Sequence, residues 1–305
     1  MSGVALVTGA CGFIGRHVAR SLAREGWTVA GIGHGRFARA ELHDWGLLAH
    51  RTADVTLPEL IECDVKPSLI VHCAGGSSVG FSVSHPHEDF HRTVATTTAV
   101  LEFARVHARG AAVVFPSSAA VYGAAAEIPL RESAPLRPVS PYGVHKRLGE
   151  ELCALYGAQF GVAAVILRLF SVYGAGLKKQ LLWDACNRVR SGDVSFFGGG
   201  HEVRDWLHVE DAAALVLHAQ RMASRACPTL NGGSGVGVPV AELLGELFGC
   251  LGRSDAPRFT GAARPGDPDA QVADISQARA TGWRPARSWR DGVREYVAWF
   301  KKAAV

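Results

Sequence analysis

The residues best suited to chemistry in this chain are a tyrosine and a lysine four positions apart, Tyr142 and Lys146. Ser140 offers a side-chain oxygen for a helix N-cap, and Pro141 suits the first helical position. Apolar residues then recur at helical spacing, at Val144, Leu148, Leu152 and Leu155. The spacing predicts a helix that carries the phenol and the ammonium on one face, where they could transfer a proton to or from a hydroxyl or carbonyl group.

A glycine-rich segment, Thr8–Gly15, follows a short apolar run and precedes a helical pattern. In such a turn the first glycine permits a tight bend, the second lets a pyrophosphate approach the backbone, and the third allows close helix–strand packing. The spacing is G-x-x-G-x-x-G, which departs from the usual dinucleotide pattern, so a purely structural turn is the alternative. The strand before it and the helix after it favour a dinucleotide site. The predicted contacts are Gly9, Cys11, Gly12, Phe13, Ile14 and Gly15.

The end of the second predicted strand, Gly31–Arg36, bears on which dinucleotide binds. A carboxylate is expected there for the ribose hydroxyls of NAD, and this segment has none. Arg36, helped by His34, could instead hold a 2′-phosphate, which favours NADP(H); NAD(H) with a solvated Arg36 is the alternative. Asp54 and Val55 are expected at the adenine edge, unless Asp54 is an exposed loop carboxylate.

Ser118 follows the apolar run Val113–Phe115, at the carboxyl end of a predicted strand, where open parallel sheets bind ligands. Its hydroxyl could hydrogen-bond a substrate oxygen. A nucleophilic serine is the competing interpretation, but no G-x-S-x-G surrounds Ser118 and the histidines show no triad-like grouping. The sequence therefore argues against a hydrolase.

A phenol with an ordinary pKa of about 10 acts at neutral pH only if its anion is stabilised. The Lys146 ammonium and a neighbouring nicotinamide cation would both stabilise a Tyr142 phenolate. A chance Tyr-x-x-x-Lys on an exposed helix is the alternative. The order of glycine turn, serine and Tyr-Lys pair along the chain favours Ser118, Tyr142 and Lys146 as a catalytic set.

The first half of the chain alternates compact apolar runs with helical stretches. The runs typical of strands buried on both faces are Val4–Val7, Thr28–Ile32, Leu69–His72, Ala111–Phe115 and Ala163–Leu167. Helical spacing marks Phe13–Glu25, Glu88–His107 and Tyr142–Tyr156. This order predicts an α/β fold with a doubly wound, mostly parallel sheet.

After about Val172, glycine-rich turns break the chain into short elements, and helices are predicted at Leu181–Arg190, Val209–Met222, Val240–Leu251 and Arg290–Lys301. We expect a smaller, irregular α/β lobe that binds the substrate. The predicted division is residues 1–172 for the dinucleotide-binding domain and 173–305 for the substrate lobe, with some chain crossing back to the first domain.

Composition excludes several classes of protein. With 305 residues, 48% of them hydrophobic, the chain can bury a large core. The net charge of +4 comes without a long run of Lys or Arg, which argues against a nucleic-acid partner. The seven cysteines include no C-x-x-C, so neither disulfides nor a metal site are indicated. Without a signal-peptide pattern or a run of roughly 18 apolar residues, we expect a cytoplasmic protein with no membrane partner.

These motifs, with several further segments, resemble the extended short-chain dehydrogenase/reductases, specifically the NAD(P)-dependent nucleotide-sugar epimerase/dehydratase group. The matching segments are Thr8–Gly15, His72–Gly75, Ser117–Gly123, Ser140–Lys146, Leu167–Gly174, Arg204–Asp211, Arg264–Asp267 and Gly282–Pro285. The resemblance implies a Rossmann-like first domain, a nucleotide-sugar-binding second lobe, and hydride exchange at a sugar carbon. It also places Cys73, Ala74 and Gly75 at the dinucleotide, with Tyr142 and Lys146.

The same resemblance implies which residues contact the nucleotide-diphosphate sugar. They are Ser78, Ser118, Ser171, Arg204 and Arg264. Arg204 and Arg264 would approach the diphosphate or the nucleotide, since guanidinium groups hold phosphate oxygens bidentately. Ion pairs with the neighbouring Asp205 or Asp267 are the alternative. Ser171 stands where the family often has Asn.

Within that group the sequence narrows the reaction. Ala119–Ala120 stands where 4,6-dehydratases carry an acid, which argues against dehydration. An NADPH-dependent 4-ketoreductase, similar to GDP-4-keto-6-deoxy-mannose reductases, is placed first because the ribose acid is missing. A 4-epimerase with retained NAD, similar to UDP-glucose 4-epimerases, is the alternative; a non-catalytic regulator is a distant one, because Ser118, Tyr142 and Lys146 are all present. Relatives also imply a homodimer formed by Glu88–His107 and Tyr142–Tyr156.

Overall fold

The computed structural model describes residues 3–124, 127–262 and 268–303. Its strands, in chain order, are β1 (Val4–Thr8), β2 (Thr28–Gly33), β3 (Ala49–Thr52), β4 (Leu69–His72), β5 (Ala112–Ser118), β6 (Ala164–Leu169), β7 (Ser171–Tyr173), β8 (Ser195–Phe196), β9 (Val203–His208), β10 (Thr229–Gly232), β11 (Gly237–Pro239), β12 (Arg258–Phe259) and β13 (Ala270–Gln271). Its α-helices are α1 (Phe13–Arg24), α2 (Arg39–Asp44), α3 (Leu57–Ile61), α4 (Val79–Ser84), α5 (Pro86–Phe90), α6 (Thr96–Val106), α7 (Pro141–Phe160), α8 (Gln180–Ser191), α9 (Val209–Ala219), α10 (Val240–Leu251), α11 (Ser276–Ala280) and α12 (Trp289–Ala303).

A seven-stranded sheet forms the centre of the molecule, in the order β10-β6-β5-β4-β1-β2-β3. Every neighbouring pair in it is parallel. Successive side chains point to opposite faces, so Leu6 and Ile70 enter one core, and Ala5 and Val71 enter the other. Helices cover both faces, α1 and α9 on one, and α3, α6 and α7 on the other. The predicted α/β class with a doubly wound parallel sheet is confirmed.

Two local features differ from the predicted elements. Strand β3, at the sheet edge, was not predicted, because Ala49–Thr52 is only partly buried and lacks an apolar run. The predicted helix Glu88–His107 begins earlier and is divided into α5, a π-helical turn at His91–Ala95, and α6. Such turns are rare and occur often at functional sites.

Helix α7 begins as its sequence predicts but ends at Phe160, one turn beyond the predicted end at Tyr156. The Ser140 hydroxyl accepts a hydrogen bond from the Gly143 N–H (3.2 Å), and Gly161 closes the helix with φ +73°. The buried face, however, is not the apolar stripe, since Val144 and Leu155 are exposed. Small or polar residues form it instead: Gly143, His145, Lys146, Gly149, Glu150, Cys153 and Gly157. A Cβ at Gly149 would lie 2.6 Å from the Phe115 ring, so glycine lets α7 pack closely on β5.

The second half of the chain builds a smaller group of elements around its own core. Strand β9 pairs with β7, β11 and β13, while β8 pairs with β12. A separate apolar cluster, which includes Tyr173, Trp206, Phe248 and Tyr296, lies between these strands and helices α8, α10 and α12. Two elements return to the central sheet: β10 pairs with β6, and α9 packs on α1. The division at residue 172 stays a prediction.

Among the helices in the described ranges, none has the length and apolar character required to cross a bilayer.

Candidate active site

The glycine turn packs against the loop that follows β4. Gly9 has φ +64°, which strongly favours glycine, and a Cβ there would lie 2.7 Å from the Ala74 nitrogen. A Cβ at Gly15 would collide with the Gly9 carbonyl oxygen. The turn therefore brings the N-terminus of α1, with its free N–H groups, to the carboxyl edge of the sheet. That is the arrangement that binds a pyrophosphate.

A large cavity of about 1560 Å³ opens at this edge of the sheet. Both halves of the chain line it. Most residues predicted from the sequence contribute to its wall, namely Gly9, Cys11, Gly12, Phe13, Ile14, Gly15, His34, Asp54, Val55, Cys73, Ala74, Gly75, Ser78, Ser118, Tyr142, Lys146, Ser171 and Arg204. The cavity exceeds the usual 300–1,000 Å³ of a drug-sized pocket, so it has room for a dinucleotide and a second ligand.

Ser118, Tyr142 and Lys146 meet in the middle of this cavity. Ser118 ends β5, while Tyr142 and Lys146 lie in the first turns of α7. The Lys146 ammonium donates to the Pro116 carbonyl oxygen (2.9 Å) and lies 6.0 Å from the centre of the Tyr142 ring. Burial raises the pKa of Tyr142, and a hydrogen bond with the Ser118 hydroxyl partly offsets that rise. The structure thus brings together a phenol, an alcohol and an ammonium.

Lys146 is only 6% exposed, and burial lowers its pKa from the ordinary 10.5 to about 8. Asp89 and Glu150 act in the opposite direction, since their carboxylates favour the ammonium. Lys146 therefore stays charged at neutral pH and could be neutralised under mildly alkaline conditions.

This burial predicts a pH-dependent stability in the dinucleotide-free protein. Between pH 8 and 10.5 the unfolded chain holds the Lys146 proton that the folded state has released, so this residue's contribution to stability rises with pH. Below pH 8 the folded state carries the full desolvation penalty, roughly 3 kcal/mol at about 1.4 kcal/mol for each pKa unit. Lys146→Met should therefore be the more stable protein at pH 7, and its advantage in free energy of unfolding should shrink towards pH 10. Urea titrations at both pH values would measure this difference in free energy of unfolding. A difference that did not change with pH would contradict a lowered pKa of Lys146.

A buried polar network that the sequence analysis missed supports the catalytic set. Glu150, one helical turn after Lys146, accepts a hydrogen bond from Ser117 (2.5 Å) and a bidentate contact from Arg168 (2.7 and 3.1 Å). Arg168 also donates to the Tyr122 hydroxyl and to a backbone carbonyl. Glu150 therefore ties α7 to the end of β5, the two elements that carry Tyr142 and Ser118. The available signal was its position four residues after Lys146.

Threonines of the π-helical turn and α6 hold the loop after β4. Thr93 accepts a hydrogen bond from the Gly76 N–H (2.9 Å), and Thr97 lies within hydrogen-bonding distance of His72 (3.2 Å). His72 also bonds Thr8 (2.7 Å) at the end of β1. Burial, with a smaller contribution from the Lys146 charge, lowers the pKa of His72 to about 3, so this histidine is a neutral structural residue.

The end of the cavity assigned to adenosine contains one acid and one imidazole. His34 contacts the Asp54 carboxylate, and both side chains are exposed. Arg36 is exposed and lies outside the cavity wall. The Cys11 thiol lies 3.3 Å from His50, and burial raises its pKa to about 11, so it remains a neutral thiol.

The residues assigned to the substrate come from both lobes. Ser78 caps α4 by accepting a hydrogen bond from the Phe81 N–H (3.4 Å), and Ser171 begins β7. Arg204 donates to the backbone carbonyls of Val203 (2.9 Å) and Asp269 (3.4 Å). Arg264 lies outside the described residues.

Asp205, the expected alternative partner of Arg204, is fully buried and faces the other way. Its carboxylate accepts hydrogen bonds from Ser234, Gly235 and Ala273. Arg204 itself lines the cavity, and Asp267, the other expected partner, lies outside the described residues. Within the ranges that the structure describes, no group of three His, Cys, Asp or Glu side chains could hold a metal ion.

Known proteins resemble this chain over nearly its whole length. The NAD dependent epimerase/dehydratase family model matches residues 5–230. A UDP-glucose 4-epimerase of Azospirillum brasilense is 32% identical over 96% of this chain and 91% of its own length. A solved UDP-glucose 4-epimerase of Thermotoga maritima, with UDP-glucose, superposes with a TM-score of 0.90 at 26% identity, covering 99% of this chain and 100% of that one.

A solved UDP-glucuronic acid 4-epimerase of Bacillus cereus, in complex with UDP-glucuronic acid and NAD, has a TM-score of 0.87 at 25% identity. It covers 98% of this chain and 99% of its own. These matches confirm the resemblance expected from the motifs. The chain belongs to the NAD-dependent epimerase/dehydratase family and is an NAD(P)-dependent enzyme of the extended short-chain dehydrogenase/reductase type.

Proposed function

We propose that this protein is a 4-epimerase of a nucleotide-diphosphate sugar. The observation that carries the proposal is the meeting of Ser118, Tyr142 and Lys146 in a cavity whose size suits two ligands, in a chain that resembles several 4-epimerases. The sequence alone favours a 4-ketoreductase, because no acid follows β2. The relatives favour the alternative, an epimerase that retains its dinucleotide.

The glycine turn and the N-terminus of α1 fit a dinucleotide, because close backbone packing at Gly9 and Gly15 brings the helix N-terminus to the carboxyl edge of the sheet, where its N–H groups can bind a pyrophosphate. A dinucleotide bound there would supply reversible hydride exchange at the sugar C4. Tyr142 would take the proton from the C4 hydroxyl and give it back, while Ser118 holds the same oxygen. Lys146 would stabilise the phenolate through its positive charge.

The second lobe would hold the nucleotide-sugar diphosphate. Arg204 lies at the cavity wall, where its guanidinium group can donate hydrogen bonds to phosphate oxygens. Ser78 and Ser171 would contact the sugar or diphosphate from opposite walls. Arg264 is proposed for the same role from the family pattern alone.

NAD is the proposed dinucleotide. Asp54 lines the cavity near the expected adenosine site, whereas Arg36, the residue that favoured NADP(H), does not. The Bacillus cereus relative is bound to NAD. The missing acid after β2 remains the one observation in favour of NADP(H), and with it of a ketoreductase.

Identifying the dinucleotide in the purified protein tests this proposal. We expect denaturation to release NAD in near-stoichiometric amount, since an epimerase regenerates its dinucleotide in each cycle. The protein should also interconvert UDP-glucose or UDP-glucuronate with its C4 epimer without added reductant. An empty site, combined with turnover that consumes NADPH, would instead identify a ketoreductase.

We propose a homodimer formed by α6 and α7. Apolar side chains on and beside these helices are exposed: Val144 by 41%, Leu155 by 49% and Phe160 by 53%. Exposed apolar side chains on the surface of a helix are compatible with a protein–protein interface. Sedimentation should show a dimer that Leu155→Glu dissociates, with Leu48→Glu, on an exposed loop elsewhere, as the control. A monomeric wild-type protein would contradict the proposal.

A further inference from the structure

Lys179 connects the two walls of the cavity. It lies just before α8, and its ammonium donates to the Ser77 hydroxyl (2.7 Å), 102 residues away in the chain. Ser77 is close to the catalytic set, since a Cβ at Gly75, two residues earlier, would lie 3.6 Å from the Lys146 ammonium. The loop that follows Ser77 is also held to α7, because Ser82 accepts a hydrogen bond from the Tyr142 N–H (3.0 Å). Lys179 therefore lies at the end of the cavity where the sugar would react.

Among the residues that the structure describes, no carboxylate pairs with Lys179, whereas neighbouring arginines have carboxylate partners. Arg92 pairs with Glu88, and Arg188 pairs with Asp184 and Asp193. The contact that the structure gives Lys179 is an uncharged hydroxyl, and its side chain remains accessible. An accessible ammonium among serine hydroxyls favours an anionic ligand, because a charge-assisted hydrogen bond is about twice as strong as a neutral one.

The backbone around Lys179 is unusual. The next residue, Gln180, has φ +67°, a left-handed conformation that residues other than glycine seldom adopt. Lys179, Gln180 and Leu181 all line the cavity, whereas Lys178 is exposed outside its wall. Strained backbone of this kind persists where the surrounding structure holds it, often at ligand sites. The left-handed conformation of Gln180 occurs where three successive residues, Lys179, Gln180 and Leu181, line the cavity.

We propose that Lys179 binds a carboxylate carried by the sugar, so that the preferred substrates are nucleotide-diphosphate uronic acids. This inference rests on the proposed epimerase function and names its substrate class. Arg204 already supplies a guanidinium for the diphosphate from the other lobe, which leaves Lys179 for a second anionic group. The Ser77 hydroxyl would remain as a neutral donor beside that carboxylate.

A two-substrate comparison with a matched control tests the proposal. The wild-type protein should epimerise UDP-glucuronate with a higher kcat/KM than UDP-glucose. Lys179→Met should lower kcat/KM for UDP-glucuronate by about 10- to 100-fold, the range expected for a lost hydrogen bond between charged groups. It should change kcat/KM for UDP-glucose by less than about threefold. Lys178→Met, which removes the adjacent charge outside the cavity, should change neither.

The other outcomes would overturn the assignment. An equal loss for both substrates, with weaker inhibition by UDP alone, would mean that Lys179 binds the diphosphate. No loss for UDP-glucuronate would mean that it binds neither group. If the wild-type protein turned over neither sugar, the epimerase proposal would fail, and calorimetry would still decide the question for Lys179. A binding preference for UDP-glucuronate over UDP-glucose, lost in Lys179→Met and kept in Lys178→Met, would support the site; equal binding of both would refute it.

Discussion

Tyr142→Phe should lower kcat by about 10³-fold, within the range attributed to a positioned general acid–base group. The Tyr142 phenol lines the cavity and is hydrogen-bonded to the Ser118 hydroxyl, where it can transfer a proton. Phenylalanine keeps the ring and removes only the oxygen. In the proposed site the glycine turn and Lys146 would hold the dinucleotide, so the affinity for the dinucleotide should change by less than about threefold. Steady-state turnover and fluorescence titration with the dinucleotide measure both quantities.

Tyr156→Phe is the matched control, because Tyr156 lies on the same helix and bonds Glu102 (3.3 Å) away from the cavity. It should retain near-normal activity. If Tyr142→Phe also kept normal kcat, the phenol would have no part in proton transfer. If it lost dinucleotide binding together with activity, the variant would have disturbed the cavity rather than removed a proton donor.

Arg168→Met should destabilise the protein by about 3–5 kcal/mol, the usual cost of leaving one partner of a buried ion pair without the other. The side chains of Arg168 and Glu150 are only 7% and 6% exposed. Methionine would leave the Glu150 carboxylate with the Ser117 hydroxyl as its remaining partner, and would remove the donor that faces Tyr122. Denaturant unfolding measures the loss. It is a large part of the 5–15 kcal/mol that folded proteins usually possess.

Two further variants separate the buried charge from other causes. Arg147→Met breaks the exposed Arg147–Glu151 pair on the same helix and should cost less than about 0.5 kcal/mol. The double variant Arg168→Met/Glu150→Leu removes both charges and should recover much of the stability. If the double variant were no more stable than Arg168→Met, the loss would come from packing, and the ion pair would not explain it.

Local patterns were sufficient to predict most of the central sheet and the helix α7. Buried apolar runs mark β1, β2, β4, β5 and β6 because parallel strands are covered on both faces. The Ser140 cap and Pro141 fix where α7 begins. The convergence of Ser118, Tyr142 and Lys146 could be predicted because each follows a strand or begins a helix at a recognisable spacing. The same patterns did not predict β3. This strand lies at the sheet edge and is only partly buried, so it does not require a run of apolar residues.

What could not be predicted depends on contacts between distant segments. Arg168 meets Glu150 across β6 and α7, and Lys179 meets Ser77 from the other lobe. Neither contact has a signature in local spacing. The direction of the Arg36 side chain likewise depends on the path of the loop after β2, so a basic residue at that position did not by itself determine the dinucleotide.

The position of β10 has a consequence for synthesis of the chain. This strand, Thr229–Gly232, is hydrogen-bonded to β6, and the 59 residues 170–228 lie between the two strands in sequence. During translation, the first six strands of the central sheet leave the ribosome before β10 has been synthesised. The sheet can therefore be completed only when the second half of the chain has emerged. Until then β6 is an edge strand with unpaired backbone N–H and C=O groups, which can pair with other nascent chains. We expect chaperones to protect this edge, because no element of the first half of the chain covers it.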